Sequence, residues 1–214
     1  MNIVFMGPAG SGKGTQSVLL SEYLNIPHIS IGSLLKSEVK KGTEFGKKID
    51  QFIKEGNMIP DKLVIPFLKE RIMNKDCKEG FILDGFPRNL NQAVFLDKEL
   101  KKIGKKIDKV FVIEISDDVV LKRTTGRFKC NVCGARYNKY FKKLRVRNKC
   151  DICGSNDFVR RVDDVAGTVI EKRIEVYRKE TKDVIEYYNK KNLVFTVNGL
   201  KSVENISSEI KNVF

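Results

Sequence analysis

A glycine-rich segment near the start of the sequence has the residues of a phosphate-binding loop. Residues 7–15 read Gly-Pro-Ala-Gly-Ser-Gly-Lys-Gly-Thr, directly after an apolar segment. Glycines let backbone N–H groups face phosphate oxygens, and a helix that begins at the loop adds positive potential. Lys13 can then reach the β- and γ-phosphates of a bound nucleotide. The segment therefore predicts a nucleoside triphosphate site, and a chance glycine-rich turn is the alternative.

Four cysteines have the spacing of a metal site. Cys130 and Cys133 form one pair, Cys150 and Cys153 form another, and a glycine follows each pair. Two pairs of this spacing are typical of structural zinc, whose four thiolate ligands leave no open position for catalysis. Unligated thiols are the alternative. The surrounding residues 126–164 are rich in Cys, Gly, Lys and Arg and predict a compact β-rich insert.

A third motif follows another apolar segment. Asp84 comes directly after residues 81–83, where the end of a parallel strand would place it at the ligand-binding edge of a sheet. A carboxylate there can orient the water shell of Mg²⁺. Arg88 follows Pro87 and can hold a phosphate through two parallel hydrogen bonds. A strand-end aspartate is also common as a cap, but the phosphate loop favours the magnesium interpretation.

Alternating strands and helices must position these residues. Apolar segments predict strands buried on both faces at residues 3–6, 28–30, 81–83, 110–115 and 193–197. Helical patterns separate them at residues 14–24, 63–73, 91–101, 117–124 and 168–189. This alternation predicts an α/β fold, a three-layer, doubly wound, parallel five-stranded sheet. Residues 31–59 lack a strand and predict two short helices joined near residues 40–42.

Composition narrows the classes of partner. The chain has 214 residues and a net charge of +14, which favours anionic partners such as nucleotides, nucleic acid or an acidic membrane. No apolar run approaches the roughly 20 residues of a transmembrane helix, so we expect no membrane partner. No signal peptide precedes the first predicted strand, and we therefore expect a cytoplasmic protein, in which paired cysteines bind metal rather than form disulfides.

Together the motifs resemble those of one enzyme family. The phosphate loop, Asp84 to Arg88 with Gln92, Gly126-Arg127 and the segment 161–164 occur in the order seen in adenylate kinases, over essentially the whole chain. The sequence is similar to the long-lid form with a four-cysteine zinc site. The resemblance implies a monomeric enzyme that reversibly transfers the terminal phosphoryl group of Mg²⁺-bound ATP to AMP, giving two ADP.

The resemblance also implies a helical AMP-binding insert and a small zinc lid. The implied parts are a core of residues 1–29, 60–125 and 165–214, an AMP-binding subdomain of residues 30–59 and a lid of residues 126–164. The implied catalytic residues are Lys13, Arg88, Arg123, Arg161, Arg173 and Asp84. The implied ATP-binding residues are Gly10, Ser11, Gly12, Lys13, Gly14, Thr15, Arg127, Arg136, Tyr137 and Lys201. The implied AMP-binding residues are Ile31, Lys36, Asn57, Met58, Ile59, Gly85, Phe86, Pro87, Arg88, Gln92, Arg161 and Arg173.

Three positions depart from the family pattern Ser-Thr-Gly-Asp-x-x-Arg. Ile31 cannot hydrogen-bond AMP through its side chain, and Ser33 removes a carboxylate near the magnesium shell. Lys36 offers phosphate a point charge instead of a planar fork. The amide of Gln92 can read the adenine edge, but Ile31 weakens that inference. A kinase for another nucleoside monophosphate is therefore one alternative.

The basic lid leaves a second alternative open. Between the cysteine pairs lie Lys139, Lys142, Lys143, Arg145, Arg147 and Lys149, interleaved with the aromatic residues Tyr137, Tyr140 and Phe141. Basic and aromatic residues in this arrangement are also found in single-stranded nucleic-acid sites, which would suit a zinc-ribbon nucleic-acid-binding NTPase. The kinase motifs outside the lid argue against nucleic acid as a partner.

The sequence has no obvious general base. His28 is the one histidine, and it lies at the start of a predicted strand, where we interpret it as structural. Phosphoryl transfer to a phosphate acceptor needs positioning and charge neutralisation, because that acceptor is already ionised. The shortage of general bases is therefore consistent with the implied reaction.

Overall fold

The computed structural model describes residues 1–55, 57–160 and 167–214. Its strands are β1 (Asn2–Met6), β2 (His28–Ser30), β3 (Phe81–Asp84), β4 (Lys109–Glu114), β5 (Arg127–Cys130), β6 (Arg136–Asn138), β7 (Phe158–Val159) and β8 (Val194–Asn198). Its helices are α1 (Lys13–Leu24), α2 (Ile31–Lys40), α3 (Glu44–Lys54), α4 (Asp61–Ile72), α5 (Leu90–Lys102), α6 (Asp117–Thr125), α7 (Gly167–Asn189) and α8 (Val203–Lys211). A 3₁₀ turn spans Lys75–Cys77.

The larger sheet is parallel and has five strands in the order β2-β3-β1-β4-β8. β1 lies at its centre, with Phe5 paired to Asp84 of β3 and to Phe111 of β4. This sheet confirms the predicted α/β fold, and each observed strand differs from its predicted bounds by at most a residue at either end. Because all five strands run the same way, their carboxyl ends share one edge, where ligands of such sheets bind.

Helices cover both faces of this sheet because β1 buries its side chains in alternation. Val4 and Met6 belong to one apolar cluster, and Ile3 and Phe5 belong to another. The first cluster contains residues of α4, α5 and α7, namely Leu68, Leu96 and Val184. The second contains residues of α1 and α8, namely Leu20, Ile206 and Ile210. The result is the expected three-layer arrangement.

The predicted pair of short helices is present as α2 and α3. The hydroxyl of Ser30 accepts a hydrogen bond from the N–H of Ser33 at 3.4 Å and begins α2, and Thr43 caps α3 by accepting from the N–H of Gly46 at 3.0 Å. α8 is a helix that the sequence analysis did not predict. Ser202 caps it through the N–H of Asn205 at 3.2 Å.

The cysteine-rich segment forms its own small antiparallel sheet in the order β6-β5-β7. This confirms the predicted β-rich insert. Each glycine after a cysteine pair, Gly134 and Gly154, has a positive φ that closes a tight turn. Across the described ranges, none of the helices combines the length and apolar character needed to cross a membrane.

Candidate active site and metal site

The phosphate loop joins β1 to α1 at the carboxyl edge of the larger sheet. Gly7 has φ 144°, and a Cβ there would lie 2.6 Å from the carbonyl oxygen of Ile113, so only glycine fits. Gly12 begins α1 with φ 104°. The first N–H groups of a helix have no partner within the helix, so α1 presents positive potential to this loop. This is the strand, loop and helix context that an anion site requires.

Lys13, the first residue of α1, lies among charged side chains contributed by distant parts of the chain. Its Nζ donates a hydrogen bond to the carbonyl oxygen of Pro8 at 2.8 Å. Desolvation is the main reason that the pKa of Lys13 falls to about 8. Asp84 opposes this fall, whereas repulsion from Arg88, Arg173 and Arg127 adds to it. Lys13 therefore marks the point where the predicted cationic groups converge.

Asp84 ends β3 beside the loop. A Cβ on Gly14 would lie 3.2 Å from its Oδ2, which shows how closely the carboxylate approaches α1. Burial alone would raise the pKa of Asp84, but His28, Lys13 and Arg88 outweigh burial and hold that pKa below its ordinary value. The carboxylate is thus kept ionised, as a group that orients the water shell of Mg²⁺ must be.

His28 differs from its interpretation as a purely structural residue. The parallel register places β2 next to β3, and the Nε2 of His28 lies 3.7 Å from the Oδ2 of Asp84. His28 therefore contributes to the electrostatics of the candidate site. Its contact with Asp84 follows from the pairing of β2 with β3, two strands that both carry polar residues. Local sequence does not show which strands pair.

Arg123 connects the loop to two other parts of the structure. Its guanidinium donates to the carbonyl oxygen of Gly199 at 2.9 Å and to those of Gly10 and Ser11 at 3.4 Å. The guanidinium also lies 5.3 Å from the ring centre of Phe141. The sequence analysis considered Phe141 only as part of a nucleic-acid surface, but Phe141 lies beside Arg123, which contacts the phosphate loop.

The remaining predicted ATP-binding residues are spread over the lid and the turn after β8. Arg127 begins β5 and contributes to the field at Lys13. Arg136 is exposed on β6. Lys201 pairs with Glu209 at 2.6 Å in the turn before α8. Arg161 lies outside the described residues, so its role as a catalytic and AMP-binding residue stays a prediction.

A cavity beside the loop brings together most of the predicted AMP-binding residues. Its lining consists of Ile31, Gly32, Leu35, Lys36, Ile53, Asn57, Met58, Ile59, Val64, Gly85, Phe86, Arg88, Gln92 and Arg173. Pro87 is not among the lining residues, and its peptide bond to Phe86 is cis. Ile31 is also part of the core, with 3% of its surface exposed. The cavity therefore joins the helical insert to the end of β3 and to α7.

The four cysteines come together as the spacing predicts. Their sulfur atoms all lie within 4.8 Å of one another, and the pairs Cys130–Cys153 and Cys133–Cys150 approach to 3.5 Å. A tetrahedron with zinc–sulfur bonds of about 2.3 Å would have sulfur atoms about 3.8 Å apart, so the cluster fits structural zinc.

The side chain of Tyr137 packs against this metal site, and its predicted contact with ATP stays a prediction. Its hydroxyl lies 3.3 Å from the sulfur of Cys150 and accepts a hydrogen bond from the N–H of Asp151 at 2.9 Å. Its ring packs against Phe128 and Phe158 and is 3% exposed. Desolvation acts against ionisation of Cys150, but hydrogen bonds from Tyr137 and from backbone N–H groups lower its pKa to about 6. The side chain of Tyr137 thus supports the thiolate form of Cys150.

The lowered pKa of Lys13 predicts a pH dependence. Since the lysine loses its charge as the pH rises through about 8, we expect kcat/KM for ATP to fall above that pH. The phosphates of bound nucleotide favour the charged lysine, so kcat should hold to higher pH than kcat/KM. Steady-state kinetics between pH 6 and 10 measure both profiles. A kcat/KM for ATP that stays constant up to pH 10 would contradict the prediction.

Comparisons with known proteins agree with this geometry. A family model described as adenylate kinase matches residues 5–193. The chain is 45% identical to an adenylate kinase of Archaeoglobus fulgidus over 211 residues, which cover 99% of this chain and 96% of the relative. It is 43% identical to an adenylate kinase of Thermosipho africanus over 213 residues, which cover 100% of this chain and 99% of the relative. The chain therefore belongs to the adenylate kinase family and is a phosphotransferase.

Proposed function

We propose that this protein catalyses the reversible, magnesium-dependent transfer of the terminal phosphoryl group of ATP to AMP, giving two ADP. One observation carries the proposal: the ammonium of Lys13 lies in the field of Arg88, Arg127 and Arg173, directly beside a cavity that contains Gln92. The three arginines come from distant parts of the chain: the segment after β3, the start of β5, and α7. Phosphoryl transfer between two nucleotides needs such a cluster of positive charge between two binding sites.

In this proposal each group has a distinct role. The phosphate loop and Lys13 hold the β- and γ-phosphates of ATP. Arg123 and Phe141 lie against the adenine base of ATP. Arg88 and Arg173 line the AMP cavity and neutralise charge on the transferring group. Asp84 would hold the water shell of Mg²⁺, which supplies further neutralising charge when bound. AMP attacks through a phosphate that is already ionised, so no side chain has to remove a proton.

We also propose the division into core, AMP-binding subdomain and lid given by the sequence. Residues 30–59 contain α2 and α3, and the lid contains the separate sheet with the cysteine cluster. Closure of these parts over the two nucleotides would exclude water and protect ATP from hydrolysis. The monomeric state and the cytoplasmic location stay predictions.

A coupled assay tests the proposal against its alternatives. Phosphorylation of AMP, CMP, UMP and GMP by Mg²⁺-ATP is measured with and without single-stranded RNA. We expect AMP to be the preferred acceptor and RNA to have no effect on the rate. Preference for another monophosphate would support a different nucleoside monophosphate kinase. ATP hydrolysis that requires RNA would instead support a nucleic-acid-dependent NTPase.

The altered AMP segment predicts weakened binding. We expect the double variant Ile31→Thr, Lys36→Arg to lower KM for AMP by about tenfold, because it adds a hydroxyl contact and a bidentate fork. KM for ATP should not change. The single variant Lys36→Arg serves as a control, since Ile31 is also a core residue whose replacement costs stability. An unchanged or raised KM for AMP in a folded double variant would refute the explanation.

A further inference from the structure

We propose that Asp61 is a positioning residue that fixes the orientation of the Gln92 amide and thereby sets which base edge the AMP cavity accepts. This inference rests on the proposed function, because it concerns the acceptor nucleotide of that reaction. Asp61 was not predicted as a site residue. It is the first residue of α4, whereas Gln92 lies in α5, and the two helices meet beside the cavity.

Both ends of the Gln92 side chain are held. Its Oε1 accepts a hydrogen bond from the backbone N–H of Arg88 at 2.7 Å, and its Nε2 donates to the Oδ1 of Asp61 at 2.6 Å. Gln92 is 2% exposed, so these contacts are protected from water. Asp61 does not appear among the described residues that line the cavity, whereas Gln92 does. Asp61 therefore acts on the amide from behind the binding surface.

The two partners permit one orientation of the amide. A backbone N–H can only donate, and an ionised carboxylate can only accept. If the amide rotated by half a turn, two donors would face each other at Arg88 and two acceptors would face each other at Asp61. A buried polar group left without a partner costs more than an ordinary hydrogen bond returns. The contact with Asp61 thus doubles the penalty for rotation.

Asp61 is itself held in place by the start of α5. Asn89 donates to its two carboxylate oxygens at 3.2 and 3.4 Å. The Oδ1 of Asn89 in turn accepts from the backbone N–H of Gln92 at 2.8 Å, which caps α5. The capping residue, the carboxylate and the amide form a closed set of hydrogen bonds. Movement of any one of them would disturb the other two.

The fixed amide keeps one N–H and one oxygen lone pair for a ligand. Adenine offers an amino donor at position 6 next to an acceptor at N1, whereas hypoxanthine and guanine offer an acceptor at position 6 next to a donor at N1. A single orientation of the amide can match only one of these two patterns. A rotated amide would match the other pattern. By fixing the orientation of the Gln92 amide, Asp61 therefore selects between AMP and IMP without contacting either nucleotide.

The variant Asp61→Ala tests this role. We expect its ratio of kcat/KM for AMP to that for IMP to fall by at least about tenfold, with KM for ATP unchanged, because an unlocked amide can pair with either base. Asp61→Asn should give an intermediate ratio, since its side-chain oxygen can still accept from Nε2 but its NH₂ group can also donate to a rotated Gln92 amide. Asp117→Ala is the matched control: Asp117 is also the first residue of a helix, and its carboxylate is also held by a side chain, that of Arg178 at 2.9 Å. It should leave the ratio unchanged.

A double variant separates positioning from a general structural effect. Gln92→Ala removes the amide, so adding Asp61→Ala to it should not change the AMP-to-IMP ratio further. A further fall in the double variant, or a normal ratio in a folded Asp61→Ala protein, would overturn the inference. If the unmodified protein phosphorylates neither AMP nor IMP, it is the proposed function that fails.

If Asp61→Ala does not fold, NMR of the unmodified protein tests whether the Gln92 amide is held in one orientation. One Nε2 proton of Gln92 should have the shift of a hydrogen-bonded proton without nucleotide, and the second should join it only when AMP is added. Two protons with the shifts of a free amide in the absence of AMP would overturn the inference.

Discussion

Replacing Lys13 by methionine is expected to lower kcat by about a thousandfold while the fold is retained, because the variant removes the charge that faces the β- and γ-phosphates in the transition state. Methionine is unbranched and only one heavy atom shorter than lysine, so packing at the start of α1 changes little. Removal of a desolvated ammonium also relieves a cost of burial, and we expect the melting temperature to stay equal or rise. Single-turnover kinetics of AMP phosphorylation and thermal unfolding measure the two effects.

Lys98→Met is the matched control for this variant, because Lys98 is exposed on α5 and undergoes the same chemical change. It should retain full activity. If Lys13→Met keeps more than about a tenth of the wild-type kcat, corresponding to less than about 1.4 kcal/mol of barrier, then Lys13 is not the group that stabilises the transferring phosphoryl group.

Cys130→Ser is expected to remove the metal and destabilise the lid. Zinc should be present at about one ion per chain in the unmodified protein and absent from the variant. Each kcal/mol of stability lost with the zinc would lower the melting temperature by about 2–4 °C in a chain of this size. Because four thiolates leave no site for water, kcat at low temperature should fall only modestly. Metal analysis, thermal unfolding and activity at 10 °C measure the three effects.

Cys77→Ser controls for the chemistry of the substitution. Cys77 is as fully buried as Cys130 but lies outside the cluster, so its replacement should leave the zinc content unchanged. Complete loss of activity in Cys130→Ser while the lid is folded would indicate a catalytic metal. Normal melting and full activity with no bound metal in either protein would show that the four cysteines are not a metal site.

Local patterns were sufficient to predict most helices and strands of the larger sheet. Apolar runs and helical spacing predicted the five parallel strands and most helices, since burial on two faces leaves a continuous apolar run. α8 was missed because Val203–Lys211 is mostly polar, and its two buried residues, Ile206 and Ile210, meet their partners only in the folded chain. A helix of that length has little intrinsic preference to form without such packing.

The sequence predicted the site residues that belong to motifs. It did not predict those whose role depends on which strand or helix packs beside them. Residue type and spacing are enough to identify the phosphate loop, Asp84 and the four cysteines. The roles of His28 and Asp61 depend on which strand or helix lies beside them, and this is fixed by topology. Tyr137 is another such case: its contact with Cys150 depends on how the small sheet folds, and its predicted contact with ATP stays a prediction.

The order of strands in the larger sheet has a consequence for how the protein is made. β1 leaves the ribosome before the other four strands of its sheet, yet its neighbours β3 and β4 begin at residues 81 and 109, and α1 is covered by α8 at residues 203–211. Pairings this distant in sequence close late in folding. The phosphate loop is anchored by Arg123, which is itself tied to Gly199. The phosphate loop therefore gains its last anchors only after residue 199 has emerged, and a growing chain bears β1 without its second neighbour until residue 114 has emerged.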